Sequence, residues 1–282
     1  MLAAAASGED FGAIAVDGSN VYWVEPTNPG AVFSVPIAGG ARTTLATQQA
    51  QPNSIALAND SVYFTCFQFG ILSVPLGGGV PVTVGRVLTP TSVAADSANV
   101  YFTSGDAVGA VPFDAGGVAH SLVQMPPNLA NNIAIDSTSI YWTSGPGTVG
   151  GSLLKTALDG GPVTTLVSGA CVPSYVTIHG SAAYYLACDK VLSVPLSGGT
   201  PTSLASTANA SAQGIAADDT NVYWSEQPNG TGGQCAVIMK APIGGGASTT
   251  LLVTQLYPNA LATDGTNLYW SGPAGLVKLP LK

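Results

Sequence analysis

Pairs made of a tyrosine and a second aromatic residue recur along the whole chain at a nearly constant interval. Successive pairs are 41, 38, 40, 43, 39 and 46 residues apart, and each stands among β-branched residues. A period of about 40 residues built from strand-forming residues is typical of a β-propeller, in which each repeat folds into one four-stranded blade. Seven pairs therefore predict seven blades. The pairs are Tyr22-Trp23, Tyr63-Phe64, Tyr101-Phe102, Tyr141-Trp142, Tyr184-Tyr185, Tyr223-Trp224 and Tyr269-Trp270.

One repeat, residues 14–47, shows how four strands arise from this pattern. Residues 14–17 and 21–24 are short apolar segments joined by a Gly-Ser-Asn turn, which predicts an antiparallel hairpin. Residues 32–35 and 43–46 predict two further strands, and we label the four strands a to d from the propeller axis outward. The same pattern predicts an all-β, seven-bladed propeller of antiparallel blades that forms a single domain over residues 1–282. Its repeats begin near residues 14, 55, 93, 133, 176, 215 and 261.

The seventh repeat ends directly after its strand c and has no fourth strand of its own. The segment 1–8 precedes the first strand a and contains an apolar run over residues 2–6. We predict that this run forms the outer strand of blade seven. Such a strand would close the ring and cover an exposed sheet edge.

Three further columns of the repeat have structural interpretations. The second aromatic of each pair predicts core packing between blades. An aspartate at the a–b turn, replaced by Ala58 and His179 in two repeats, accepts bonds from its own downstream backbone. A proline near the end of strand c lacks an N–H donor and predicts a strand end or a bulge. The aspartates are Asp17, Asp96, Asp136, Asp218 and Asp264; the prolines are Pro36, Pro75, Pro112, Pro195, Pro242 and Pro280.

The composition excludes some partners. Charged residues make up only 8% of the chain, and its net charge of −8 reflects a total of 7 Lys and Arg. Because phosphate binding needs clustered lysine and arginine, we expect no nucleic-acid partner. No apolar run is long enough for a membrane span. The Ser/Thr/Gly-rich composition and the four cysteines favour a secreted, cell-surface or periplasmic protein, which we expect to be a monomer.

Two repeats resemble a known family. The segment 258–264, PNALATD, followed by LYWS at 268–271, resembles the YWTD repeat of LDL-receptor-type propellers, as does IAID at 133–136 followed by YWTS at 141–144. In repeat style the chain is more similar to exported bacterial propellers. The resemblance implies a binding scaffold and carries over no catalytic motif. It has two departures: YWTD propellers have six blades, and no repeat here has Asp at the fourth motif position.

One position just before strand a predicts a candidate site. In a propeller the d–a and b–c loops share one face, which we call the top face, and the other turns share the bottom face. The aligned position lies at the mouth of the central channel, and six of its seven residues carry a hydroxyl or an amide. The ring predicts a site for an uncharged polar ligand, or alternatively residues that cap turns and hydrate the channel. Its members are Gly12, Asn53, Thr91, Asn131, Ser174, Gln213 and Asn259.

Aromatic and acidic residues in the top-face loops extend this candidate site. The aromatic residues offer stacking surfaces for a ligand. The acidic residues cluster at blades one and six, which favours a carboxylate pair or a cation site, or else a solvated surface. Because no calcium-loop motif is present, we predict no metal. The aromatics are Phe11, Phe67, Phe69, Tyr175 and Tyr257; the acids are Glu9, Asp10, Glu25, Asp106, Asp189 and Glu226.

Histidine and cysteine chemistry is limited. His120 falls on an outer strand and His179 at a bottom-face turn, so neither a histidine-based nucleophile nor a histidine metal site is expected. Four cysteines allow three pairings, of which Cys171 with Cys188 is favoured because both fall at the top of blade five. Cys66 and Cys235 belong to distant blades.

These observations favour an exported, non-catalytic binding propeller without a cofactor. Its predicted partner is an uncharged polar small molecule, a glycan or a protein, held at the top face and the channel mouth. One alternative is an enzyme, a carboxylate-dependent lyase or hydrolase with its site at the top of the channel. A second alternative is a structural protein-interaction module.

Overall fold

The computed structural model describes residues 1–5, 9–113, 116–125, 130–145, 150–169, 171–207, 211–227, 236–254 and 258–281. Within these residues the chain forms seven four-stranded antiparallel sheets. The strands a of successive blades contact one another, and those of blades seven and one close the ring. The prediction of a seven-bladed all-β propeller is confirmed. The described part of the chain has no helix able to span a membrane.

The strands are numbered in chain order, and β1 (Ala3–Ala4) belongs to blade seven. Blade one contains β2 (Ile14–Val16), β3 (Asn20–Glu25), β4 (Gly30–Pro36) and β5 (Thr43–Gln49). Blade two contains β6 (Pro52–Ala58), β7 (Ser61–Cys66), β8 (Gly70–Pro75) and β9 (Val82–Gly85). Blade three contains β10 (Pro90–Ala95), β11 (Asn99–Ser104), β12 (Ala107–Pro112) and β13 (His120–Gln124).

The remaining blades repeat this arrangement. Blade four contains β14 (Ala130–Ile135), β15 (Ser139–Ser144), β16 (Ser152–Ala157) and β17 (Thr164–Ser168). Blade five contains β18 (Ser174–His179), β19 (Ala182–Ala187), β20 (Lys190–Pro195) and β21 (Thr202–Ser206). Blade six contains β22 (Ser211–Ala217), β23 (Asn221–Gln227), β24 (Ala236–Pro242) and β25 (Thr249–Thr254). Blade seven contains β26 (Ala260–Thr263), β27 (Asn267–Gly272) and β28 (Gly275–Pro280), with β1 outside.

The N-terminal strand completes blade seven, as predicted. Strand β1 pairs antiparallel with β28, and the backbone N–H of Leu2 donates to the carbonyl of Leu276 at 2.8 Å. The N–H of Ala5 donates to the carbonyl of Ala274 at 3.0 Å. The paired strand is shorter than the predicted 2–6 segment, and residue 6 lies outside the described residues.

The repeated columns have the expected structural roles. The second aromatic of every pair is buried; for example, Trp23 and Phe64 are each 0% exposed. The cluster around Phe64 joins Val24 and Val32 of blade one to blade two, so this column packs neighbouring blades together. In six blades strand c ends at the repeated proline, which avoids the loss of a ladder hydrogen bond inside the strand.

The aspartate column explains why the first residue of each pair is a tyrosine. In blade six, Asp218 accepts hydrogen bonds from the backbone N–H groups of Thr220 and Asn221 at 2.7 and 2.8 Å. Its second oxygen accepts the Tyr223 hydroxyl at 2.7 Å. The same tyrosine–aspartate bond, between residues five apart, occurs in all five blades that have the aspartate. We call this unit the Asp–Tyr turn.

The Asp–Tyr turn changes the ionisation of both partners. Burial, followed by the hydrogen bond to Asp218, raises the pKa of Tyr223 to about 12. Burial alone would raise the pKa of Asp218, but the hydrogen bonds from Tyr223, Thr220 and Asn221 outweigh it and lower that pKa below its usual value. A carboxylate with a lowered folded pKa stabilises the fold above its unfolded pKa of about 3.9. This stabilisation is lost as the pH falls through the folded pKa.

We expect Tyr223→Phe to lower the free energy of unfolding by about 2 kcal/mol at pH 7, because buried Asp218 loses a charge-assisted hydrogen bond. The difference from wild type should shrink as the pH falls through the lowered folded pKa of Asp218. Urea unfolding of the variant and of wild type, at pH 7 and at a series of lower pH values, measures this difference in the free energy of unfolding. Tyr184→Phe is the matched control, because His179 replaces the aspartate there and the Tyr184 hydroxyl has no hydrogen-bond partner among the described residues. Equal effects of the two substitutions would contradict this account.

Candidate functional site

A cavity of about 710 Å³ lies at the top of the propeller axis. It is lined by the ends of strands a and by the loops that precede them. Every member of the sequence-predicted ring lines it, so the structure brings together residues that are up to 247 positions apart in the chain. These seven residues are Gly12, Asn53, Thr91, Asn131, Ser174, Gln213 and Asn259. We call this space the central cavity.

β-Bulges or register shifts interrupt strand a at the level of the ring in five blades. In blade three Pro90 pairs with Ser104 and Ser92 pairs with Thr103, so Thr91 is an extra residue in β10. Register shifts at the same level interrupt strand a in blades two, four, five and six. A bulge bends its strand and changes the direction of the side chain that it carries. The repeat pattern predicted the position of these residues but gave no sign of the bulges.

A second repeated position carries hydroxyl groups that were not predicted as part of the site. Two of them donate hydrogen bonds to the backbone carbonyls of ring residues. The residue directly after each aromatic pair is Ser or Thr in five blades: Thr65, Thr103, Thr143, Ser225 and Ser271. Thr103 Oγ1 donates to the carbonyl of Asn131 in the next blade, and Ser271 Oγ donates to the carbonyl of Gly12 at 2.6 Å. These bonds join the strand-b end of one blade to strand a of the next. In the sequence these hydroxyl residues stand at the third position of the YWTD-like motif, and this repeated position could have predicted them.

Two of the ring amides already use their nitrogens inside the protein. Asn53 Nδ2 donates to the carbonyl of Thr91 at 3.1 Å. Asn259 Nδ2 donates to the carboxylate of Asp10 at 3.0 Å and to the carbonyl of Phe11 at 2.9 Å. These contacts agree with the turn-capping interpretation for part of the ring, and no described residue donates a hydrogen bond to the side-chain amide oxygen of either residue.

The two remaining ring amides have no hydrogen-bond partner within the part of the chain that the structure describes. The side-chain amides of Asn131 and Gln213 make no hydrogen bond to any described residue, although both residues line the central cavity. Each amide offers one acceptor and two donors. The ring therefore combines satisfied structural groups with groups available for binding.

The central cavity is nearly free of charge. Among its described lining residues, Asp10 is the only one with a charged side chain, and its carboxylate accepts the Asn259 amide. Glu25 and Glu226, predicted for the site, are not among the lining residues. Glu226 accepts a hydrogen bond from Trp224 Nε1 at 3.0 Å, and burial raises its pKa.

An acidic sector lies beside blade one, outside the cavity. Burial raises the pKa of Glu25, and the nearby charge of Glu9 raises it further. Arg42 forms two hydrogen bonds with Glu9, at 2.7 and 2.9 Å, and its guanidinium also lies over the Phe33 ring at 4.7 Å from the centroid. Within the described ranges, no cluster of three or more His, Cys, Asp or Glu residues could hold a metal ion.

The predicted aromatic residues lie in different environments. Tyr175 lines the central cavity and is 36% exposed, because it is the extra residue of the β18 bulge with φ of 49°. Phe67 and Phe69 are each 56% exposed and do not reach the cavity lining. Phe11 is a core residue, stacked on Trp23 with ring centroids 5.0 Å apart. Tyr257 lies outside the described residues.

The predicted disulfide between Cys171 and Cys188 is present, with the two Cα atoms 5.4 Å apart. It joins the loop that enters blade five to the b–c turn of the same blade, next to the lining residues Val172, Pro173 and Ser174. Cys66 is a buried free thiol, and burial raises its pKa to about 11. Cys235 lies outside the described residues.

Both histidines lie away from the central cavity. His179 Nε2 is 2.9 Å from Asp219 Oδ1 at a bottom-face turn, and His120 is on the outer strand β13. The site is thus a neutral polar depression on the axis of a seven-bladed propeller, framed by one aromatic ring and one carboxylate.

Comparisons with known proteins support the fold class. No family model and no curated protein matches the sequence. A chain of a nidogen/laminin complex, which contains a YWTD-type propeller, is 15% identical with a TM-score of 0.64, and the match covers 84% of this chain and 94% of that chain. This likeness agrees with the YWTD resemblance, while the blade number here is seven.

Two enzyme structures show the same architecture. A puromycin-hydrolyzing peptidase of Mycobacterium tuberculosis is 17% identical with a TM-score of 0.74, and the match covers 97% of this chain and 51% of that chain. A GH74 enzyme of Niastella koreensis is 12% identical with a TM-score of 0.77, with 98% and 53% covered. This chain spans about half the length of these two relatives. At such identities the likeness establishes the propeller fold, which binding proteins and hydrolases share.

Proposed function

We propose that this protein is an exported, non-catalytic binding propeller that holds an uncharged, hydroxyl-rich ligand in the central cavity. The observation that carries the proposal is the ring of neutral hydrogen-bonding side chains from successive blades around a cavity of about 710 Å³. This volume is within the usual range for sites that enclose a small molecule. The ligand class is a sugar or polyol, either free or as the end of a glycan on a protein partner.

The charge of the lining supports this ligand class. Arginine, lysine and histidine are missing from the described lining residues, so an anionic ligand would lose its hydration without a cationic partner. A cation would find only Asp10, whose carboxylate already accepts a hydrogen bond from Asn259. A neutral ligand with several hydroxyl groups has alternating donors and acceptors, which match the amides of Asn131 and Gln213.

The ring of Tyr175 adds an apolar surface at the cavity wall. The flat C–H faces of sugars pack against aromatic rings, and stacking of this kind adds to the hydrogen bonds. Tyr175 adopts a left-handed backbone conformation, with φ of 49°, which is costly for a bulky residue. A functional role for its orientation is consistent with that cost.

The carboxylate-dependent enzyme finds less support. An enzyme of this type needs a carboxyl group positioned as acid or base at the reacting atoms, and Asp10, the one carboxylate among the described lining residues, already accepts a hydrogen bond from Asn259. Export is supported by the Cys171–Cys188 disulfide, because such bonds persist in oxidising compartments.

We expect the double substitution Asn131→Ala and Gln213→Ala to weaken binding by a factor of about 5 to 150, since each lost neutral hydrogen bond costs about 0.5–1.5 kcal/mol. Isothermal titration calorimetry with a panel of neutral mono- and disaccharides, in low and high NaCl, measures this effect. Binding should be nearly independent of salt because the contacts are uncharged. Folding should be unchanged, because neither amide bonds to a described residue.

Gln124→Ala is the control, because it removes an exposed amide from the outer strand β13, far from the cavity. A saccharide that binds wild type and the double variant equally would place its site elsewhere. A steep salt dependence would move the site to the acidic sector around Glu9 and Glu25. If no saccharide in the panel binds at all, the proposed ligand class is wrong.

A further inference from the structure

Lysine side chains fill grooves between neighbouring blades on the bottom face. Lys155 on β16 stands opposite Tyr141, and its Nζ donates to the carbonyl of Leu196 in blade five. Lys278 on β28 stands opposite Tyr269, and its Nζ donates to the carbonyl of Ile37 in blade one at 2.9 Å. In both cases the lysine crosses to the first residue after strand c of the next blade. Lys240 on β24 stands opposite Tyr223 in the same register, but its Nζ makes no hydrogen bond to a described residue, and serine occupies the position in blades one, two and five. Blades four and seven thus show where an ammonium group can bind between two blades.

Blade three has an alanine at this position. Ala110 on β12 stands opposite Tyr101, in the same register as the two lysines. A cleft of about 410 Å³ opens there between blades three and four. Its walls include Leu158. In blade four Leu158 occupies the position of Leu196 and Ile37, whose backbone carbonyls accept the lysine hydrogen bonds in the other two grooves. The carbonyl of Leu158 accepts no hydrogen bond from any described residue.

The c–d turn beside this cleft carries a carboxylate that the lysine-filled grooves lack, whereas the aspartate of the Asp–Tyr turn is common to all three grooves. Asp159 follows Leu158 in the c–d turn, whereas Ser197 and Ala38 stand at this position beside the two lysine-filled grooves. Asp159 is exposed and makes no hydrogen bond within the described residues. Asp96 also lines the cleft, and its carboxylate accepts the Tyr101 hydroxyl at 2.8 Å.

The apolar part of the cleft matches the stem of a lysine. Ala110, Leu122 and Pro112 line it, and His120 stands opposite Ala110 on the outer strand. A lysine stem buries its methylene groups against apolar surface while its charged end reaches polar groups. The absent internal lysine, the unpaired carbonyl and the added carboxylate coincide in one groove.

We propose that this cleft, on the face opposite the central cavity, binds a lysine side chain presented by a partner protein. The ammonium group takes the position that Lys155 and Lys278 occupy in their own grooves, with the Leu158 carbonyl and the Asp159 carboxylate as its partners. A basic protein is also the partner that the net charge of −8 favours, because opposite charge speeds association.

Nuclear magnetic resonance titration of the ¹⁵N-labelled protein with Nα-acetyl-lysine-N-methylamide tests the proposal. We expect saturable shifts of the backbone amides of Asn99, Leu158 and Gly160, with the weak affinity of a single side chain. The norleucine analogue, which has the same stem without the ammonium group, should cause none of these shifts. Equal shifts with both compounds, or shifts spread over unrelated surface carboxylates, would overturn the proposal.

Two variants test the geometry. Ala110→Lys should restore the internal lysine, fill the cleft and abolish the shifts. Asp159→Asn, on an exposed turn, should weaken binding by a factor of up to about five, as expected for an exposed ion pair. Asp60→Asn makes the same charge change at another bottom-face turn and should leave binding unchanged. If Ala110→Lys does not fold, the aspartate variants still test the proposal. Equal affinities of Asp159→Asn and Asp60→Asn for the lysine derivative would show that the cleft is not its binding site.

The source of the ammonium group is tested with n-butylamine, which lacks the peptide. Weaker binding of n-butylamine than of the lysine derivative supports a protein partner. Tighter binding of n-butylamine would assign the cleft to free amines and overturn the protein part of the proposal.

Discussion

Deletion of residues 1–8 should lower the melting temperature by about 7 °C, which corresponds to a loss of about 4 kcal/mol in a domain of this size. The deletion removes the strand β1 and its backbone hydrogen bonds to Leu276 and Ala274. It also exposes the edge of β28, where Leu276 is 0% exposed in the intact protein. The hydrophobic cluster that contains Leu276 also loses the side chains of Leu2 and Ala5, which pack against it in the intact protein. Differential scanning calorimetry of the full and shortened chains measures the loss.

A point variant tests the same strand without shortening the chain. A Cβ at Gly275 would lie 2.1 Å from the carbonyl oxygen of Ala3, so Gly275→Ala should displace β1. Gly265→Ala is the matched control, because Gly265 also has a positive φ but no atom within 4 Å of the added Cβ. Gly275→Ala should therefore destabilise the protein clearly more. An unchanged melting curve for the deletion, or equal effects of the two glycine variants, would contradict closure by the N-terminus.

The fold was predictable because several physical requirements repeat with the blade. Tyr223 has to reach the aspartate five residues earlier, and Trp224 has to pack against the preceding blade, where Tyr184 and Leu186 belong to its cluster. Each requirement fixes a residue type at a fixed position, so the period is visible in the sequence. The N-terminal strand was predictable by the same logic, since the last repeat lacked its outer strand.

The candidate site was predictable only in part. The ring position follows from the repeat, and all seven of its residues line the central cavity. The repeat does not predict which loop aromatics reach the cavity, because this depends on the geometry of each loop. A bulge places Tyr175 at the cavity, whereas Phe67 and Phe69 stand in the short b–c turn of blade two. A bulge depends on which backbone pairs form, and no single residue type encodes it.

The bottom-face cleft has no signature in any one repeat. Ala110 is unremarkable by itself, and becomes informative only beside Lys155 and Lys278 in the same register. Departures from the repeat thus point to candidate functional residues alongside the repeated ring position, because the aspartate, tyrosine and second aromatic of each repeat hold the blades together. Tyr175 on the top face and Asp159 on the bottom face are both departures of this kind.

Replacement of Cys171 and Cys188 by serine should lower the free energy of unfolding by roughly 3 kcal/mol, on the model in which the bond restricts the unfolded chain. The separation of 17 residues sets this magnitude. Affinity for a cavity ligand should also fall, since the disulfide anchors the loop that carries Pro173 and Ser174. Urea unfolding of wild type with and without dithiothreitol measures the stability effect.

The double-serine variant is itself the control for the reductant. Dithiothreitol should leave its urea midpoint unchanged, because Cys66 is a free, buried thiol that has no bond to lose. The wild-type midpoint should move to the value of the variant. A wild-type midpoint that ignores the reductant, or peptide mapping that finds both thiols free in oxidised protein, would refute the role given to this bond. If reduction moves the wild-type urea midpoint but leaves the affinity for a saccharide unchanged, the disulfide stabilises the fold without contributing to binding in the central cavity.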